Sequence, residues 1–239
     1  MNSHDALRRL IAAAALAFAA TVAAQTLPLP PSLVRLDSEA GAQLLVDSQA
    51  RRAYWPLSVQ FVTQQNQAFC GVASMVMVLN ALAVKAPPTP GYEPFRTFTQ
   101  DNLLNDRTET ILPRQTLLRQ GMTLTQLGLI LESYGVAAAV RHADDDGLDS
   151  FRSVASRQLA MPGGHVIVNY LRRVLGQETG GHISPLAAYD AGSDRFLILD
   201  VSRYKYPPVW AAATDLYAAM NTVDRDNDGR RRGYVLVGP

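Results

Sequence analysis

The sequence predicts an α+β fold, on three observations. Apolar residues recur at helical spacing over the first two thirds of the chain, whereas the last third carries short runs rich in Val, Ile, Leu and Tyr. One helical run, Cys70 to Ala83, is apolar on nearly every side, as a helix buried all round is. The turn Asp190-Ala191-Gly192-Ser193-Asp194 joins two of the later runs, so those strands pair antiparallel. Helices first and strands afterwards argue for a helical half packed on an antiparallel sheet, not for alternating βαβ units.

Each element follows in order. Arg8-Arg9 precede an uncharged apolar run from Leu10 to Ala24, and Val22-Ala23-Ala24 offers the small residues a signal peptidase reads. Residues 1–24 are therefore expected to be a secretory leader cleaved after Ala24, with 25–239 one periplasmic or secreted domain. The run is shorter than the roughly 20 residues that span a bilayer, so no membrane contact is expected of the mature form. Asp37-Ser38-Glu39 opens a short helix to about Asp47. Tyr54 to Val62 reads as extended, and Pro87-Pro88-Thr89-Pro90-Gly91 breaks the chain after the Cys70 helix. Short helices are expected over 97–105 and 111–119, with a polar turn at Asn105-Asp106-Arg107. Thr123-Leu124-Thr125-Gln126 has the form of a capping box, and its helix runs to Tyr134 with Gly135 just beyond. A strand over 136–140, a helix over 148–160, strands over 166–170, 183–189, 196–199 and 234–237, and a helix near 212–221 complete the chain.

Composition excludes several functions. Lys plus Arg number 22 and Asp plus Glu 21, so the formal charge of +1 provides no field for nucleic acid. A single cysteine rules out an internal disulfide and a cysteine-cluster metal site. Asp144-Asp145-Asp146 is expected to be a solvated turn, because three adjacent aspartates point different ways. With no Gly-rich phosphate loop and no zinc spacing, no cofactor and no protein-bound metal are expected.

The candidate chemistry gathers on Cys70. It opens the buried helix, where free N–H groups and the positive end of the dipole favour a thiolate. Gly71 leaves room beside the sulfur, and Gln64, six residues upstream, carries an amide that can point at an oxyanion. The histidines after the leader are His142, expected in a solvated loop, and His165 and His182, each following Gly-Gly at the start of a strand. If Tyr189 and Ser193 flank the hairpin turn, Asp200 falls directly opposite His182, with Cβ atoms about 5 Å apart. His165 has no such partner, since Asn169 lies four residues along its own strand. Gln, Cys, His and Asp in that order form the papain-like constellation.

The strings around these residues are longer than a constellation requires. Asn66-Gln67-Ala68-Phe69-Cys70-Gly71-Val72-Ala73-Ser74-Met75 resembles the cysteine motif of phytochelatin synthases. Gly180-Gly181-His182-Ile183-Ser184-Pro185-Leu186 resembles their histidine motif, and Leu199-Asp200-Val201-Ser202-Arg203-Tyr204-Lys205-Tyr206-Pro207-Pro208 their aspartate motif. The short, leader-bearing form is similar to the bacterial phytochelatin-synthase-like proteins. The resemblance implies a papain-like fold and glutathione as substrate. It makes Cys70 the nucleophile, His182 the base and then the acid, Asp200 its orienter, and Gln64 with the Cys70 N–H the oxyanion hole. It places Gly181, Asp224 and Arg232 on the substrate, the last two holding the γ-glutamyl amine and carboxylate, with Arg231 the alternative to Arg232.

The place the resemblance leaves for a divalent heavy metal is as a thiolate-bound part of the substrate, and whether metal-bound glutathione is the true substrate stays open. No cysteine-rich region follows the strands, so hydrolysis of glutathione to γ-glutamylcysteine and glycine is expected to exceed transfer to a second glutathione. Asp224 to Gly229 mimics the start of an EF-hand loop, but its twelfth position is Val235, so no calcium site is expected. A papain-like peptidase acting on other secreted peptides and a non-catalytic thiol-peptide binding module remain alternatives, and a homodimer stays open.

Overall fold

The structure is a computed structural model, and it describes residues 26–225 and 229–239. The expected leader, residues 1–24, lies outside the described residues. The elements are β1 (Val34–Arg35), α1 (Glu39–Asp47), α2 (Tyr54–Val59), α3 (Cys70–Ala81), α4 (Asp106–Glu109), α5 (Arg114–Gln120), α6 (Leu124–Ser133), β2 (Ala137–His142) and α7 (Leu148–Ala160). They continue with β3 (His165–Leu171), a 3-10 turn (Arg172–Leu175), β4 (Gly181–Asp190), β5 (Arg195–Ile198), β6 (Val209–Ala212), α8 (Ala213–Met220) and β7 (Gly233–Gly238). The strands form one seven-stranded sheet in the order β1-β6-β5-β4-β3-β7-β2, antiparallel at every pairing.

The α+β architecture stands, with helices covering the sheet. Along β4 every residue from His182 to Asp190 is buried, so both faces of the central strand are covered. α3 lies against β4, and Cys70 through Leu79 are all buried in it. α7 supplies Phe151, whose ring meets Phe196 of β5 and Tyr234 of β7, each at 5.0 Å between centroids. Ser38 caps α1 through the Gly41 N–H at 3.0 Å, and Thr123 and Gln126 form the expected reciprocal box at α6.

Three local expectations fail for identifiable reasons. Tyr54–Val59 is helical rather than extended. Pro56 falls in the first turn, where its missing N–H has no intrahelical acceptor, and Leu57 is carried into the core. Residues 97–105 form no helix, because the Asn80 amide bonds both the N–H and the C=O of Phe98, at 2.8 and 2.9 Å. That side chain removes the groups a helix would need. The helix starts instead where a turn was expected, at Asp106, capped by Asn105 with Thr108 reciprocating. His142 is buried at the end of β2 rather than solvated, with Nδ1 2.6 Å from the Arg231 carbonyl. The short strands β1 and β6 gave no sequence signal of their own, and they pair with each other at the sheet edge.

Candidate active site

Three segments meet at one cavity of about 290 Å³. Cys70 reaches it from the first turn of α3, and His182 and Gly181 from the start of β4. Asp224 and Arg232 reach it from the loop before β7 and the residue preceding that strand. Ser74, one turn along α3, fixes the first two segments together. Its hydroxyl lies 2.8 Å from the Cys70 carbonyl and 3.2 Å from that of Ile183, the residue after His182. The absent side chain at Gly71 matters here, since a Cβ there would stand 2.9 Å from Met122 Sδ. Met122 thus packs into the space beside the nucleophile and lines the cavity.

His182 and Asp200 are joined, but not by the expected register. β4 and β5 pair Asp190 with Arg195, Tyr189 with Phe196 and Ala188 with Leu197, around a longer turn than expected. Carried on unchanged, that register would put Asp200 and His182 on opposite faces. A bulge between Leu186 and Ala188 shifts the pairing by one, to Leu186 with Ile198, and so restores the face. The Leu199 N–H then bonds the Pro185 carbonyl at 3.0 Å, which leaves Asp200 diagonal to His182 rather than opposite it. His182 Nε2 lies 2.9 Å from Asp200 Oδ1 and 2.9 Å from Ser184 Oγ. With Nε2–H donating to the carboxylate, the ring presents Nδ1 as its acceptor.

The carboxylate has a second partner that the sequence did not single out. The two terminal nitrogens of Arg172 each sit 2.8 Å from an Asp200 oxygen, and Nη1 also bonds Gln177 Oε1 at 2.8 Å. The Ser202 N–H donates to Asp200 Oδ1 at 2.8 Å. His182 and Arg172 together hold the Asp200 carboxyl well below the usual carboxylate range, although it is fully buried. Burial pushes the His182 pKa down, opposed by Asp200.

Burial likewise pushes the Cys70 thiol up, against backbone hydrogen bonds at Ile183 and Gly71 and the charge of Arg172. Burial thus opposes the thiolate that the helix terminus favours. Cys70 and His182 line the same cavity, and desolvation disfavours the charged form of each.

Gln64 is buried and firmly oriented. Its Oε1 accepts from Ser202 Oγ at 2.7 Å, and its Nε2 lies 2.7 Å from the Asn66 carbonyl and 3.1 Å from the Tyr204 hydroxyl. Ser202, two residues past Asp200, thus ties the Gln64 amide to the triad loop. Across the cavity, Arg232 Nη2 lies 3.1 Å from Asp224 Oδ1, and Nη1 bonds the Thr222 hydroxyl and the Val223 carbonyl. A Cβ at Gly181 would come 3.3 Å from Arg232 Nη2, so the guanidinium lies directly over that glycine. Arg231 turns away to the Asn221 carbonyl and is not among the lining residues.

His165 is not brought to the site. It is buried on β3, its ring makes no hydrogen bond among the described residues, and burial alone lowers its pKa to about 4. Among the described residues no group of three His, Cys, Asp or Glu side chains is placed to hold a metal ion. Asp226, Asn227 and Asp228 of the calcium-loop-like string lie outside the described residues. No helix among those described is long and apolar enough to cross a membrane.

A thiol and an imidazole oriented by a buried carboxylate, lining one cavity, are the parts of nucleophilic acyl transfer; Gln64 is tied to the Asp200 loop through Ser202 but is not among the lining residues. Comparison with known proteins agrees with that chemistry. The phytochelatin synthase family profile matches residues 24–234. A glutathione gamma-glutamylcysteinyltransferase 1 of Lotus japonicus is 36% identical over 214 residues, covering 88% of this chain and 41% of the relative. The Triticum aestivum protein of the same name is 34% identical over 216 residues, 89% of this chain and 42% of its own. The glutathione gamma-glutamylcysteinyltransferase of Schizosaccharomyces pombe is 29% identical over 214 residues, 88% and 50%. The chain thus spans half or less of these curated relatives.

Proposed function

The chain belongs to the phytochelatin synthase family, and on that premise we propose that it is a cysteine acyltransferase and hydrolase acting on glutathione. The observation that carries this reading is the placing of Cys70, the Asp200-oriented His182 and the Asp224–Arg232 pair around one small cavity. The acid–base pair at one wall matches the zwitterionic head of a γ-glutamyl group, ammonium to Asp224 and carboxylate to the Arg232 fork.

In the first half-reaction the Cys70 proton passes to His182 Nδ1 as Sγ attacks the carbonyl of the Cys–Gly bond. The Cys70 N–H donates to the oxyanion, and Gln64 supplies the second donor by turning an amide N–H from the Asn66 carbonyl or the Tyr204 hydroxyl that it bonds at rest. His182 then returns the proton to the departing glycine nitrogen, leaving a γ-glutamylcysteinyl thioester on Cys70. In the second, His182 takes a proton from water, or from the amine of a second glutathione, and the thioester is released as γ-glutamylcysteine or as the longer peptide. Neither step calls on a cofactor. A heavy metal enters only as part of a thiolate-bound substrate, and the leader-like residues 1–24 support a periplasmic or secreted site of action. The test is glycine release from glutathione, which is expected to stop in Cys70→Ala; release at the parent rate in that variant would refute the assignment.

A further inference from the structure

The cavity carries one charge more than the γ-glutamyl head uses. Of the described residues that line it, Asp224, Arg232 and Arg119 are the charged ones, besides His182, which burial keeps neutral. Among these described residues, two guanidiniums stand against one carboxylate, a net positive lining. Glutathione at neutral pH is the complement, with two carboxylates and one ammonium. Pairing ammonium with Asp224 and one carboxylate with Arg232 leaves one carboxylate and one cation.

The placement of that cation decides which carboxylate it meets. Arg232 lies over Gly181, beside His182, on the sheet wall. Arg119 reaches the cavity from a different element, the last turn of α5. Three residues on, Met122 is anchored against Gly71, next to the nucleophile. Gly121, at a φ of 76°, ends the helix between them in a conformation that L side chains rarely adopt. Arg119 is thus held on the Cys70 side by a short, fixed segment. Among the described residues it makes no ion pair or hydrogen bond, unlike Arg172 and Arg232, so its guanidinium is uncommitted.

We propose that Arg119 is the binding residue for the glycine carboxylate of glutathione, the leaving-group end of the substrate. This rests on the reading that the Cys–Gly bond is the one cleaved. It makes the enzyme selective for a substrate with a free carboxylate one residue beyond the scissile bond, and against amidated, esterified or extended peptides. Once glycine departs, its carboxylate leaves with it, and the vacated Arg119 is open to the carboxylate of the next substrate.

The experiment compares glutathione with its glycine monoethyl ester, following γ-glutamylcysteine, in the parent and in Arg119→Ala. The expected result is a fall in kcat/KM of about tenfold for glutathione in the variant, the size of one charge-assisted hydrogen bond at an exposed position. The ester should be poorer by a similar factor in the parent and indifferent to the substitution. Arg119→Lys should recover part of the loss with glutathione alone. Equal losses on both substrates, or none on either, would overturn the assignment of Arg119. Failure of the parent to act on glutathione at all would instead overturn the underlying reading of the reaction, and the assignment with it.

Discussion

Two arginine–aspartate pairs flank the same cavity and are built for opposite purposes. Behind His182, Arg172 and Asp200 meet through two contacts of 2.8 Å, with side-chain exposures of 4% and 0%. At the cavity wall, Arg232 and Asp224 meet at 3.1 Å with side-chain exposures of 10% and 8%, and both line the cavity. The first pair is closed. Gln177, His182 and the Ser202 N–H add hydrogen bonds to it, and Arg172 lies over the rings of Tyr170 and Tyr206. The second keeps faces turned to the cavity, where a ligand's ammonium and carboxylate can join it. The same two residue types thus orient a base where they are sealed in and, on the proposed function, hold a zwitterion where they line the cavity.

Breaking the closed pair should do the greatest damage. Arg172→Met leaves a buried carboxylate with one partner fewer, which costs about 3–5 kcal/mol in urea unfolding. In whatever fraction folds, His182 loses a neighbouring positive charge that holds its pKa down. The acid limb of the kcat/KM profile should accordingly move to higher pH, a shift that mere loosening of the fold would not produce.

The open pair should behave differently. Arg232→Met leaves Asp224, 8% exposed at its side chain, without its cation but beside the cavity, so stability should fall by about 1–3 kcal/mol, less than for the closed pair. The kcat/KM for glycine release should nevertheless fall about 100-fold, as for loss of a charge-assisted bidentate contact. Equal stability losses in the two methionine variants would erase the distinction drawn between the pairs.

A smaller effect concerns the two histidines that follow Gly-Gly. His182 has Asp200, whereas His165 is equally buried with no hydrogen-bond partner among the described residues. With the His165 pKa lowered to about 4 from an ordinary 6.5, the unfolded chain binds more protons than the folded one between those values. Stability from this residue is fully present above about pH 6.5 and declines as pH falls toward 4. By pH 5 the loss should reach about 2 kcal/mol, and His165→Phe should flatten that part of the unfolding curve. An unchanged slope in the variant would assign the acid sensitivity elsewhere.

Much of this site is legible in the amino-acid sequence, and its limits are physical. The buried helix at Cys70 and the capping box at Thr123 are local patterns, and both form as read. The meeting of His182 with Asp200 was foreseen from a hairpin register that the protein does not use. A longer turn and a bulge displace the strands in ways that leave the same face aligned. Arg172 was invisible because Arg172-Arg173 after a strand reads as a surface turn, and only packing buries the first of them. Asn80 hides its role similarly, since the backbone it clamps at Phe98 is remote in sequence. The resting state of Cys70 also depends on tertiary burial, which outweighs what the helix terminus offers.

The central claim is that Cys70 carries a γ-glutamylcysteinyl group during turnover. The direct measurement is the intact mass of the protein quenched in acid moments after mixing with glutathione. The account predicts an added mass equal to γ-glutamylcysteine less one water, located on the peptide containing Cys70 and absent from Cys70→Ala. Turnover without such an adduct under single-turnover conditions, or the same adduct in Cys70→Ala, would contradict it.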